Sequence, residues 1–171
     1  MPVSAADVKT VRERTGAGFI DSKNALEKSQ GNIEAAVKDL IAKAIAKGVS
    51  MADKRINTAA SQGVVESYIH GGGRIGVILE LNCETDFVAR TDEFHKLAHE
   101  IAMQIAAMNP QFIGTTDLPE KPERPLPEIS LMHMPYVRDG SRTIKDLVAE
   151  GIAKMGESIR IRRFTRYELG G

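Results

Sequence analysis

The chain has 171 residues, and its 23 Lys+Arg balance its 23 Asp+Glu, which argues against a globally basic nucleic-acid binder. Leu, Ile, Val and Phe total 42, too many for a disordered chain, and no apolar run approaches the roughly 18 residues of a membrane span. The start lacks the basic-then-apolar pattern of a secretory signal, and the one cysteine, Cys83, excludes an internal disulfide or a Cys-rich zinc site, so a cytoplasmic protein is expected.

In chain order, Ser4-Ala5-Ala6-Asp7 has the spacing of a capping box. Val8 and Val11 begin an apolar stripe that Gly16 ends. A second helix is predicted over about Phe19–Ser29, with Phe19, Ala25 and Leu26 as core candidates and Gly31 as its stop. Asn32 then caps a third helix, whose Ile33, Ala36, Val37, Leu40, Ile41 and Ala44 recur at helical spacing. The three helices make a module over residues 1–50, too small for an ample core of its own and suited to docking. Residues 51–62 read as a linker with helical character. Its Lys54 and Arg55 suit either phosphate contact or plain solvation.

Residues 63–171 alternate strand and helix. Val65, Ser67 and Ile69 oppose Val64, Glu66, Tyr68 and His70. After Gly71-Gly72-Gly73, Val77, Leu79 and Leu81 line one side of a second run, which predicts a β-hairpin. The glycines lack the following helix and Gly-Lys-Ser/Thr of a phosphate loop. A helix is predicted from Thr91 to Met108, with a stripe of Phe94, Leu97, Ala98, Ile101, Ile105 and Met108, ended by Asn109-Pro110. Its His95 and His99, at i and i+4, form either a metal pair lacking a third ligand or a solvated face. Pro119, Pro122, Pro125 and Pro127 mark an extended loop at 114–130. Thr143 to Asp146 offers another capping box, opening a helix through Met155 that Gly156 closes. A last strand is expected to place Ile159, Ile161, Tyr167 and Leu169 on one face and Arg160, Arg162, Phe164 and Arg166 on the other. The order predicts the α+β class, an antiparallel sheet with helices on one side.

Between the hairpin and the long helix lies Thr85-Asp86-Phe87-Val88. Either it caps the helix and folds beneath it, or Phe87 projects as an aromatic anchor with Asp86 beside it. Two other readings compete. The basic last strand with its Phe164 suits a small RNA-associated translation protein, and Cys83 near His70 suggests a thiol nucleophile that lacks an orienting third residue. An inert packed thiol is the expectation for Cys83. No residue pattern predicts catalysis, a cofactor or a bound metal.

Two stretches carry a family resemblance. Val11-Arg12-Glu13-Arg14-Thr15-Gly16-Ala17-Gly18-Phe19-Ile20-Asp21-Ser22-Lys23-Asn24-Ala25-Leu26 and Glu80-Leu81-Asn82-Cys83-Glu84-Thr85-Asp86-Phe87-Val88-Ala89-Arg90 resemble the two signatures of the elongation factor Ts family. The resemblance implies a non-enzymatic guanine-nucleotide exchange factor for elongation factor Tu, with an N-terminal ubiquitin-associated-like module. Thr85, Asp86, Phe87 and Val88 would enter the partner's GTPase domain and dislodge its Mg²⁺. Arg12, Phe19 and Ile20 match the helical module's docking positions. Long family members carry two sheet-and-helix halves, whereas this chain has one that resembles both. A homodimer is therefore expected, with His70 contributed by the second chain and no direct nucleic-acid or membrane contact.

Overall fold

The computed structural model describes residues 3–55, 57–116 and 118–171; Met1, Pro2, Ile56 of the expected linker and Asp117 of the expected loop lie outside them. The first helix, α1 (Ala5–Thr15), starts where Ser4 accepts the Asp7 amide at 3.1 Å. The Ser4 hydroxyl donates to the Asp7 carboxylate at 2.7 Å, so the expected pair closes through side chains. Gly16 ends the helix in the left-handed region, at φ 68°, where an L side chain would be strained. Helix α2 (Phe19–Lys28) and helix α3 (Ile33–Lys54) follow, the latter capped by the Asn32 side chain on the Ala35 amide. Val8, Val11, Ala25, Leu26, Ala36, Val37 and Leu40 form their common core.

Phe19 is not in that core, as its spacing predicts, but 54% exposed. A helical side chain leans over the turn before its own Cα, and Phe19 opens its helix, with no preceding turn to pack on. Helix α3 also runs past residue 50, into the stretch expected to link the two regions. The cause is tertiary. A Cβ at Gly48 would lie 1.7 Å from the Ala149 carbonyl oxygen, a close crossing that glycine alone permits. Beyond the crossing, Met51 and Ala52 pack on the second core. One helix thus serves two apolar clusters.

Strands β1 (Gln62–His70) and β2 (Ile75–Cys83) form the expected hairpin, and Gly71, Gly72 and Gly73 turn it at φ 60°, 67° and 91°. Helix α4 (Asp86–Ala89) is a single turn, and α5 (Asp92–Met108) is capped by Thr91 on the Phe94 amide. A short α6 (Leu126–Ile129) and a 3-10 turn at Leu131–His133 lead to the small hairpin β3 (Pro135–Tyr136) and β4 (Asp139–Thr143). Helix α7 (Ile144–Met155) carries the predicted capping box between Thr143 and Asp146, and β5 (Arg160–Glu168) ends the fold. The main sheet is antiparallel in the order β1-β2-β5. Val77, Leu79 and Leu81 of its inner face share one core with Phe94, Leu97 and Ile101 of α5 and Val148 and Ile152 of α7. The α+β architecture, with helices on one sheet face, is as predicted.

Three further readings are corrected. The last strand does not alternate strictly, because a bulge shifts its register between Glu80 and Leu81 of β2. Arg163 pairs with Glu80 while Ile161 pairs with Leu81, so Arg162 is the extra residue. Beyond it, Phe164 packs on the core, and Arg166 turns inward to donate to the Ala106 carbonyl at 3.2 Å. The expected face of Arg160, Arg162, Phe164 and Arg166 is therefore divided between two sides of the sheet. Met108, the last residue of α5, is exposed, because its helix ends beyond the sheet's cover. The proline-rich stretch is tied at both ends: Leu131 and Met132 amides donate to Phe112 and Ile113 carbonyls at 2.8 and 2.9 Å. Buried polar residues that no spacing announced hold the small hairpin. Glu100 accepts from Tyr136 and Arg138, while Gln104 donates to the Pro135 carbonyl and accepts the Val137 amide.

Candidate partner-docking corner

The sequence leaves the orientation of residues 85–88 open, and the structure gives each side chain a place. Strand β2 ends at Cys83, and the chain turns through Thr85 into the single turn of α4. The Thr85 hydroxyl accepts the Val88 amide at 3.3 Å, which opens the turn. Val88 and Ala89 fold beneath, into the core. Phe87 points the other way and is 77% exposed. Water does not favour an aromatic ring so displayed, and a corner that buries its neighbours yet extrudes its ring has the form of an anchor. Asp86 lies beside it, paired with Arg90 at 3.0 Å on the exposed side of the turn. Thr85, Asp86, Phe87 and Val88 thus form a convex corner with one apolar tip and one carboxylate.

Residues distant in sequence hold this corner. The Glu157 carboxylate, just past α7, accepts the Thr85 hydroxyl at 2.6 Å, the Thr85 amide at 3.0 Å and the Glu84 amide at 3.2 Å. The Glu84 carboxylate answers by accepting the Ser158 amide at 2.7 Å. Arg55, at the end of α3, reaches both Glu84 oxygens at 2.7 Å. The Ser158 amide first, then Arg55, hold the Glu84 carboxyl below its ordinary range. Arg55 is thus engaged in an internal ion pair, which neither of its expected roles anticipated. Sequence reasoning missed Glu157 altogether, and no local signal could have found it.

Cys83 lies under the corner, buried, and donates to the Thr85 carbonyl at 3.2 Å. Burial first, and then the nearby Glu157 charge, push its thiol up to about 11. At neutral pH it is protonated, a poor nucleophile that matches the inert packed thiol expected from its position.

The remaining candidates lie elsewhere on the surface. Ile20 is 71% exposed beside Phe19 at the start of α2, and Arg12 is exposed in the last turn of α1. His70, at the end of β1, is exposed and meets the Tyr68 hydroxyl at 3.2 Å through Nδ1. His99 meets Glu66 at 3.1 Å and the edge of the Tyr68 ring. Among the described residues, no three His, Cys, Asp or Glu side chains gather as a metal site.

Comparison with known proteins bears directly on this arrangement. The sequence model of the family described as Elongation factor TS matches residues 7–124, which include both the α1–α3 bundle and the corner. An elongation factor Ts from Coprothermobacter proteolyticus is 45% identical over 200 aligned positions, covering 99% of this chain and all of the relative. Relatives of the same name from Thermotoga neapolitana (44% identity, 99% of this chain, 98% of theirs) and Moorella thermoacetica (43%, 98% and 96%) match nearly end to end. No helix among the described residues is long and apolar enough to cross a membrane. With its matching signatures, its fold and this near-complete similarity, the chain belongs to the elongation factor Ts family, a family of translation elongation factors.

Proposed function

We propose that this translation factor is a guanine-nucleotide exchange factor, which binds elongation factor Tu carrying GDP and speeds GDP release. One observation carries the reading: Phe87 is extruded from a capped turn whose other apolar residues are buried. Inserted into the partner's GTPase domain, the ring would displace elements that hold Mg²⁺ and the β-phosphate side of GDP. Asp86 would bring a negative charge to the same place, disfavouring both the diphosphate and the arrangement of its metal ligands. Phe19 and Ile20 supply a second apolar contact from the helical module, with Arg12 on the helix before them.

The energetics are those of linkage. A factor that favours the nucleotide-poor partner weakens nucleotide binding by the same ratio that nucleotide weakens its own binding. Abundant GTP then rebinds and expels the factor. No bond is made or broken, so the chain is not an enzyme in the chemical sense, and it works in the cytoplasm beside its partner. The RNA-binding alternative is less favoured, because Phe164 and Arg166 face the core and leave no continuous basic-aromatic face. The test is release of labelled GDP from elongation factor Tu. Phe87→Ala and Asp86→Ala should retain the fold and slow the stimulated release; a folded double variant that stimulates normally would overturn the role.

The reading includes a homodimer in which the second chain supplies the missing half of the surface, His70 included. Support comes from the outer sheet face, where Val65, Ile69, Ile78, Tyr167 and Leu169 are all exposed. Register places Ile69, Gly76 and Tyr167 in one row across the three strands, with Ser67, Ile78 and Thr165 in the next. An apolar sheet face left open to water fits a like face from a second copy. Light scattering should give a dimer at micromolar concentration and a monomer for Ile78→Asp. A monomeric parent chain would remove the dimer from the reading.

A further inference from the structure

A single turn of helix has little means of holding its own shape. Nucleation fixes several residues for one hydrogen bond, and α4 adds to its cap the Ala89 amide on the Thr85 carbonyl at 3.2 Å and, where the turn ends, the Arg90 and Thr91 amides on the Phe87 and Val88 carbonyls at 3.3 and 3.0 Å. Yet this turn displays the ring on which the proposed exchange depends. Beyond the burial of Val88 and Ala89, its order comes from outside the turn, through two carboxylates that cross. Glu157 takes two amides and a hydroxyl from Glu84 and Thr85, while Glu84 takes the amide of Ser158, next to Glu157. The Thr85 hydroxyl is the joint: it donates to Glu157 at 2.6 Å and accepts the Val88 amide at 3.3 Å. Arg55 then fastens Glu84 to the end of α3, the helix that also carries the N-terminal core.

We propose that Glu157 is a positioning residue for exchange, acting through Thr85 to hold the Phe87 corner in its docking shape before the partner arrives. The inference rests on the exchange reading and deepens it. Asp86 pairs with Arg90 and takes no part in the brace, so the docking carboxylate stays available while the bracing carboxylates are occupied. Ordering done in advance need not be repeated at docking. If the brace is lost, the competent corner is populated only part of the time, and half-maximal stimulation needs more factor by the inverse of that fraction. The rate at saturation stays near its original value, since the same corner finally docks.

The experiment measures labelled GDP release from elongation factor Tu against concentration of the full-length chain, with Glu157→Ala placed in the parent and in the Phe87→Ala background. In the parent, Glu157→Ala should raise the half-maximal concentration by about five- to tenfold, the scale of re-ordering one backbone residue, with the saturating rate nearly unchanged. Glu157→Gln should recover most of the loss, because its amide oxygen still accepts both backbone N–H groups. In the Phe87→Ala background, Glu157→Ala should change the half-maximal concentration by less than about twofold, since the group it positions is gone. A general loss of folding would also raise the half-maximal concentration, but by the same factor in both backgrounds. An undiminished effect without Phe87, or no effect with it, overturns the inference. Should Glu157→Ala fail to fold, Glu157→Asp, whose carboxylate falls one methylene short of Thr85, decides in the same cycle by the same non-additivity. The two readings fail differently: if exchange itself is misassigned, Phe87→Ala alone is without effect, whereas if only the brace is, Phe87→Ala is slow and Glu157→Ala is normal.

Discussion

The start of α2 and the corner at α4 both hold large apolar side chains in water, and different physics holds each. Phe19 and Ile20 stand at the start of a ten-residue helix whose Ala25 and Leu26 are sealed in a three-helix core. Phe87 stands on four residues of helix, with Val88 and Ala89 tucked under and a lattice of carboxylate hydrogen bonds behind. The first tip is aimed by packing, which is broad in direction and indifferent to pH. The second is aimed by hydrogen bonds, which are directional and which, at Glu84, favour the ionised carboxylate. A tip too short to carry its own core must borrow its rigidity from polar groups elsewhere in the chain.

Core truncation should separate the two most strongly. Leu26 is fully buried, and Leu26→Ala should cost about 2–5 kcal/mol in denaturant unfolding. Stimulated GDP release should fall with it as the Phe19–Ile20 tip loses its support. A loss below about 1 kcal/mol would mean that packing does not aim that tip.

Acid should act on the other tip. Glu84→Gln should cost about 1 kcal/mol at neutral pH, by weakening the bonds from Ser158 and Arg55. Because the folded Glu84 carboxyl is held below its ordinary 4.5, its contribution is fully present above that value and lost as pH falls through the lowered one. Denaturant curves of parent and variant should therefore converge in the acid range below 4.5. A gap that stayed constant with pH would break the comparison. The smallest effect on stability belongs to Phe87→Ala, within about 0.5 kcal/mol, because the ring touches water rather than core. Its effect on exchange should be far larger than its effect on unfolding.

Several features were legible in the residues because their causes are local. Ser4, Asn32 and Thr143 cap the helices they were expected to cap, and the three glycines turn the hairpin. The alternation of Val77, Leu79 and Leu81 marked the buried side of the sheet. Other features were hidden because a second element decides them. The bulge at Arg162 exists only against β2, and it reverses which side Phe164 and Arg166 face. The β3–β4 hairpin depends on Glu100 and Gln104, two polar residues on an otherwise apolar helix face. The extension of α3 to Lys54 depends on its crossing with α7 at Gly48.

Caps, turns, alternation and the two signature stretches needed only residues within a few positions of one another, so the order of the chain by itself determined the fold class, the family and the location of the corner. Which way that corner faces was decided elsewhere. Thr85 and Glu157 are 72 positions apart, and nothing periodic connects them. Only when α7 and β5 pack beside the hairpin do Glu84 and Glu157 meet each other's backbone, with Val88 turned inward and Phe87 left in water. A hydrogen bond over a few ångströms requires a meeting in space, and local spacing carries no record of it.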